Sequence, residues 1–390
     1  MQPDFLYQES PHGLILIAAF SGRALAQSAR RAGYKPLVVD CFGDQDTKNL
    51  AYSLCCLPAR VQVGFRKRPL LEALQNLSLL TPDKPIGLIL GTGFECNPRL
   101  VEALSKNFSL LGNKPNTIRR VKDPIEFFGT LKRLGIRHPQ TQVHAPETPE
   151  GWLMKRIGGS GGLHVHVCPK EFHLDKRRYF QKWERGHSLS VFAIASKKGS
   201  AFAFSEQWTS PTKRRPYRYG GSVSGITLHP DLEARLIEAC MAVISEFNLE
   251  GIISLDFIVQ EDEFLLLEVN PRPGATLDIF EDTEGTLFSA HLLSLSGHDP
   301  TPHLKKNWAP KKAVAAAYLY ADRGALSVPK MEWPLWTADR PCIGITLERG
   351  QPIATVLAEG LTTHEAKKLC LERLDLLDRT LYETSKKDKN

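Results

Sequence analysis

Two spacings of apolar residues divide the chain. Up to Gly112, short apolar runs alternate with stretches of helical period. LILIAAF (14–20) reads as a buried strand, SGRALAQSARRAGY (21–34) as a helix and KPLVVD (35–40) as the next strand. PIGLIL (85–90) and PRLVEALSKN (98–107) repeat the strand–helix pair. Unbroken apolar strands alternating with helices predict a parallel sheet covered on both faces. Beyond Gly112 the order changes. DPIEFFGTLKRLG (123–135) predicts a helix, and WLMKR (152–156), LHVHV (163–167), YFQKW (179–183) and LSVFAIA (189–195) predict short strands. HPDLEARLIEACMAVISEFN (229–248) has the spacing of an amphipathic helix, and GIISLDFIV (251–259) with EFLLLEVN (263–270) that of paired strands. The Pro- and Lys-rich HDPTPHLKKNWAPKK (298–312) reads as a connector. Strands AVAAAYLYA, IGITLE and IATVLAE, a last helix from Thr363 and a disordered TSKKDKN tail complete the pattern.

This pattern predicts three parts. Residues 1–112 form an α/β domain and residues 113–300 an α+β domain. Residues 301–390 form a small β-rich subdomain with a terminal helix. Composition changes little. At 390 residues with 42% hydrophobic and 24% charged positions, the chain has the make-up of a globular protein of two or three domains. No apolar run approaches the ~20 residues of a membrane span. The opening MQPDFLYQES carries acids and no basic region, unlike a secretory leader. Eight cysteines lack CxxC spacing, which predicts free thiols in a reducing cytosol. The net charge of +7 is scattered, without a basic stripe interleaved with aromatics, so nucleic acid is not an expected partner. It suits anionic small molecules or serves solubility alone.

Candidate chemistry concentrates in LDFIVQEDEFLLLEVNPR. With a three-residue turn (Glu261, Asp262, Glu263), Gln260 pairs with Phe264 and Asp256 falls opposite Glu268. Their Cβ atoms then lie ~5 Å apart. Asn270 shares that face, while Leu265, Leu267 and Val269 point to the core. Opposed carboxylates repel unless a cation lies between them. A hard divalent ion fits, with the amide oxygen of Asn270 as a further ligand. Arg272 would lie beside a transferring phosphoryl group. WLMKRIGGSGGLHVHV adds Gly158, Gly159, Ser160, Gly161 and Gly162, a loop free to approach phosphate, with Lys155 on the strand before it. A purely structural glycine turn is the alternative. It is not a Walker A sequence.

These stretches resemble the ATP-grasp superfamily over most of the chain. The resemblance implies an ATP-grasp fold with a Rossmann-like N-terminal domain, and ATP with Mg²⁺ (or Mn²⁺) as cofactors. LLGNKPNTIRRVKD is similar to the domain start in biotin-carboxylase-type members, which implies a phosphate contact by Lys114, with Lys155 as the second ATP lysine. YFQKWERGHSLSV is similar to the hinge strand, implying that Gln181, Lys182, Trp183 and Glu184 line the adenine pocket. Many members have glutamate at positions 181 and 188, so Gln181 and Ser188 depart from the pattern. The resemblance further implies an ADP-forming carboxylate–amine (or thiol) ligase that works through an acyl phosphate, with Arg272 and Lys155 catalytic. GLILGTGFECNP, LLGNKPNT, PYRYGGSVSG and ATVLAEG are similar to a group near one-carbon cofactor biosynthesis, which includes a tyramine–glutamate ligase.

Other readings carry less. Asp40 ends the second strand as a ribose-binding acid would, but the turn has only Gly22 and no GxGxxG. The basic loop TSPTKRRPYRYGGSVSG offers Arg218, Gly220 and Gly221 as substrate contacts. Glu95 could face the same cleft or cap the following helix. His164 and His166 alternate as zinc ligands can, yet no third or fourth ligand is suitably spaced, so structural or surface roles are favoured. The expected partners are small carboxylates and amines, the expected assembly a homodimer, and the expected location the cytoplasm. A bicarbonate-activating carboxylase and a non-catalytic nucleotide-binding module remain as alternatives.

Overall fold

The computed structural model describes residues 13–59, 63–80, 82–171, 175–307 and 312–387. The opening decapeptide, part of the connector and the last three residues lie outside these. Strands β1 (Leu14–Ala18), β2 (Lys35–Asp40), β3 (Ser53–Cys56) and β4 (Leu88–Leu90) form a parallel sheet in the order β3-β2-β1-β4. Every residue of β1 is buried, as its unbroken apolar run requires. Helices α1 (Arg23–Arg31), α2 (Gln45–Leu50), α3 (Lys67–Ser78) and α4 (Pro98–Ser105) accompany it. The strand order reverses between β1 and β4. The loops after these two strands therefore border the crevice where such sheets bind ligands.

Helices α5 (Pro115–Lys122) and α6 (Pro124–Arg133) follow. Asp123 separates them, and its carboxylate caps α6 by accepting from the backbone of Ile125 and Glu126. A small antiparallel sheet comes next: β5 (Thr141–Gln142), β6 (Trp152–Arg156), β7 (His166–Val167) and β8 (Arg178–Lys182), ordered β5-β8-β6-β7. The strand predicted over 163–167 shrinks to two residues, because the glycine turn runs on through His164.

The large sheet contains β9 (His187–Ala195), β10 (Ala201–Thr209), β11 (Tyr219–Val223), β12 (Gly251–Gln260) and β13 (Glu263–Asn270). Helix α7 (Pro230–Phe247) packs Leu232, Leu236, Cys240, Val243 and Phe247 on one face of it, with α6 alongside. Asn248, left-handed at φ 52°, ends α7. Short helices α8 (Leu277–Phe280), α9 (Thr286–Leu295) and α10 (Thr301–Asn307) lead onward. Strands β14 (Ala313–Tyr320), β15 (Leu326–Ser327), β16 (Thr337–Ala338), β17 (Thr346–Leu347) and β18 (Pro352–Gly360) precede α11 (Thr363–Lys387). The tail predicted to be disordered is helical as far as Lys387. IGITLE supplies only the short ribbon strand β17.

The large sheet has the order β13-β12-β9-β10-β11-β14-β18-β16. Strands from residues 301–390 thus extend the middle domain's sheet, since β14 pairs with β11. The other face of this sheet, through Phe192, Ile194 and Ile252, shares a core with Ile15, Ile17 and Val38 of the parallel sheet. Ser190 and Asp256 lie on that same face, where the shared core ends.

Candidate active site

The β12–β13 hairpin brings Asp256 opposite Glu268 by a route the sequence did not suggest. The turn has two residues, with Gln260 paired to Glu263, and not three. A bulge between Asp256 and Phe257 makes up the difference, because Leu267 is the extra residue. The bulge also changes the core face. Leu266 and Val269 are fully buried there, and the expected Leu265 and Leu267 are only half-buried. Leu265 lies with Ile258 on the side of Asp256.

Asp256 Oδ1 accepts from Ser190 Oγ (2.6 Å) and Gln207 Nε2 (3.4 Å), and Oδ2 from Asn270 Nδ2 (2.9 Å). Burial, then the charge of Glu268, raises the Asp256 carboxyl. Burial would also raise Glu268, but Lys122, His164 and Lys155 outweigh it and hold that carboxyl low. Two half-buried carboxylates so placed cannot both ionise freely without positive charge between them. The donors are oxygens of two carboxylates and an amide, which fits Mg²⁺ or Mn²⁺ completed by phosphate and water. Among the described residues, no set of three His, Cys, Asp or Glu side chains could hold a metal, so zinc does not fit.

Two lysines reach this cluster. Lys122 Nζ lies 3.3 Å from Glu268 Oε2 and 3.3 Å from Asn270 Oδ1. Lys155 Nζ donates to Gln181 Oε1 (2.6 Å), and Gln181 Nε2 donates to Thr141 Oγ1 (3.2 Å). Burial pushes the Lys155 ammonium down, partly offset by Glu268 and Asp256. Lys114 is exposed at the N-cap of α5, ~12 Å along the helix from Lys122. Lys122 could have been found from the sequence. It follows Ile118 and Val121 on the helix's buried stripe, where an unpartnered lysine has no place.

The glycine loop is held on both sides. A Cβ on Gly158 would stand 2.3 Å from the Glu95 carbonyl oxygen, and one on Gly162 1.7 Å from that of Tyr217. Tyr219 N donates to Gly161 O (3.0 Å). A Cβ on Gly159 would strike the ring of His164, which is buried within the turn, contrary to the surface role considered for it. Ser160 sits between these glycines.

Arg272 Nε donates to Glu95 Oε1 (2.6 Å). Glu95 Oε2 accepts from the backbone of Gly93 and Phe94 (3.2 and 3.1 Å). Burial would raise the Glu95 carboxyl, yet Arg272 and Lys122 keep it low. Glu95 therefore anchors Arg272 and caps nothing, since Asn97 caps α4. Arg218 is corrected as a substrate contact. Its guanidinium is 0% exposed and bonds Asp322 twice (2.9 and 2.6 Å) and Ser210 twice (2.8 and 2.9 Å). It also lies over the Tyr320 ring, which leaves it no face for a substrate. Gly220 and Gly221 are likewise structural, because Trp208 crosses closely above both.

Of the hinge residues, Glu184 lines a cavity of about 480 Å³ with Ile136, His138, Ile258 and Leu265. Gln181 is 1% exposed and occupied by Lys155. Lys182 lies against the Trp152 ring, and Trp183 is half-exposed. Ser188, in register with Ile258, shares the face of Ser190. Asp40 accepts from Gly43 N (2.9 Å), closing its own loop, and is fully buried, which leaves no carboxylate for the adenosine ribose of a dinucleotide.

The architecture is that of the ATP-grasp fold: an N-terminal parallel sheet before central antiparallel sheets. It superposes on biotin carboxylase from Campylobacter jejuni with a TM-score of 0.66, covering 90% of this chain and 88% of that one at 15% identity. Carboxyaminoimidazole ribonucleotide synthase from Aspergillus clavatus, complexed with ATP, gives 0.65, 94% and 99% at 12% identity. Residues 121–276 match the model of the ATP-grasp domain. Residues 121–276 thus match an ATP-grasp domain, and the chain as a whole shares the fold of these structures. It is 23% identical over 267 residues to an uncharacterised protein of Methanocaldococcus jannaschii, covering 64% of each chain.

Proposed function

We propose that the protein is an ADP-forming, ATP-dependent ligase that activates a carboxylate as an acyl phosphate and passes it to an amine. The observation that carries this reading is the set formed by Asp256, Glu268 and Asn270, with Lys122, Lys155 and Arg272 converging on it. Asp256, Glu268 and Asn270 would hold Mg²⁺, which would supply positive charge to offset that of the ATP phosphates. Lys122 and Lys155 neutralise phosphate oxygens, and the glycine loop excludes water above them. The base enters the cavity beside Glu184, between Ile258 and Leu265. The substrate carboxylate attacks the γ-phosphorus, and Arg272, fixed by Glu95, meets the charge that develops. The amine then displaces phosphate. Arg272 and its partner Glu95 border the loop after β4, on the edge where such sheets bind ligands, which suits the second substrate there. The resemblance in GLILGTGFECNP and PYRYGGSVSG supports a place in one-carbon cofactor biosynthesis.

Incubation with Mg-ATP and pools of acids and amines tests the reading. Amine-dependent ADP release is expected. Release that depends on bicarbonate alone would replace the ligase with a carboxylase. No release with any pool would leave a nucleotide-binding module. Glu268→Ala should abolish release while the thermal unfolding of the free protein changes little, and unchanged turnover in that variant would overturn the metal site.

A further inference from the structure

His164 is a buried titratable group that the mechanism above leaves unused. Its side chain is 8% exposed, and Nδ1 is enclosed with no hydrogen-bond partner among the described residues. A buried polar atom without a partner is uncommon and calls for an explanation. The ring is fixed in place, because it fills the space a Cβ on Gly159 would need. It belongs to the glycine turn, within electrostatic reach of Glu268, Lys155 and Lys122. A polyphosphate bound at those groups would lie within the same reach of this ring.

We propose that His164 is a phosphate-binding residue of the glycine loop, whose Nδ1 takes up a proton when nucleotide binds and donates it in a hydrogen bond to a phosphate oxygen. The inference rests on the ATP reading above. Phosphate oxygens only accept hydrogen bonds, so a partner nitrogen must carry hydrogen. In the free protein, burial pushes the ring down to about 4, with Lys155 and Lys122 adding to the effect and Glu268 and the Ser160 backbone opposing it. The free ring is therefore neutral near pH 7. Mg²⁺ on Glu268 would cancel that carboxylate's pull, but the polyphosphate carries more negative charge than the ion carries positive and also offsets both lysines, so the ring's pKa rises on binding. The sign follows: binding takes up a proton, and affinity falls as pH rises.

The test is calorimetric titration of the full chain with Mg²⁺ and a non-hydrolysable ATP analogue near pH 6.5, in two buffers of different ionisation enthalpy. The wild type should take up more protons than His164→Asn, whose amide can donate without titrating. His164→Ala should lose about 10–100-fold in affinity, as expected for a charge-assisted bond. The Asn variant should retain most of its affinity with a flatter pH profile. Should the Ala variant fail to fold, the wild type–Asn comparison decides alone. Equal proton uptake in those two proteins overturns the proposal while leaving ATP binding intact. Absence of any nucleotide heat overturns the ATP reading itself, and this inference with it.

Discussion

At the scale of single residues, the site depends on anchors behind the reacting groups. Glu95 has two backbone donors on one oxygen and Arg272 on the other, so the guanidinium is oriented before substrate arrives. Glu95→Gln keeps the shape and removes the charge. It should lower kcat by about 10–100-fold with little change in KM for ATP, because orientation counts most where charge develops. Steady-state kinetics with each substrate varied in turn check this, and a change confined to KM for ATP would place Arg272 on the nucleotide instead. Arg218 shows the opposite case. Its chemistry looked like anion binding in sequence, but four of its five N–H donors are spent inside the protein and the side chain is buried. Sequence reveals residue type and face, and a guanidinium's partner 104 positions away is invisible to both.

At the scale of elements, the β12–β13 hairpin shows how far pattern reading reaches. Alternation of polar and apolar positions is enough to oppose Asp256 and Glu268, since side-chain direction has a period of two. It does not locate a bulge, because a shorter turn and an extra residue leave the same end register. The consequence can be measured. A glycine inserted between Glu261 and Asp262 only lengthens the turn and should leave ADP release within about threefold. An alanine inserted between Leu265 and Leu266 shifts the ladder by one residue, turns side chains to the wrong face and should abolish release. Equal tolerance of both insertions would refute the register. Helices α7 and α11 were legible from spacing alone. Helix α5, with Lys122 at its end, was hidden in a stretch read as a domain start.

At the scale of the whole molecule, the parallel sheet, the antiparallel middle and the order of the parts follow from the change of period at Gly112. The joining of the C-terminal strands to the central sheet does not, since strand partners far apart in sequence leave no periodic trace. Arg218 and Asp322 pin the β10–β11 loop to that extension. Arg218→Ala should destabilise the protein by about 1–3 kcal/mol, because it removes the hydrogen bonds and ring contact of a buried guanidinium while the nearly half-exposed Asp322 regains water, and Arg218→Lys should not restore it because an ammonium cannot grip a carboxylate with two parallel bonds. Calorimetric unfolding measures both.

The unbroken run of eight strands has a mechanical consequence. A sheet hydrogen-bonded from β13 to β16 bends little, so it works as a fixed bed and not as a pair of jaws. The small sheet of β5 to β8 shares no ladder with that bed, has a cluster of Trp152, Met154, Cys168 and Phe180 of its own, and sends Tyr179 into the bed's core. Its glycine tip is tied down by Tyr219 N donating to Gly161 O and by the close passage of Gly158 at Glu95 and Gly162 at Tyr217. A polyphosphate seated under that tip, as proposed above, would lift the small sheet and leave the eight-strand ladder unbroken.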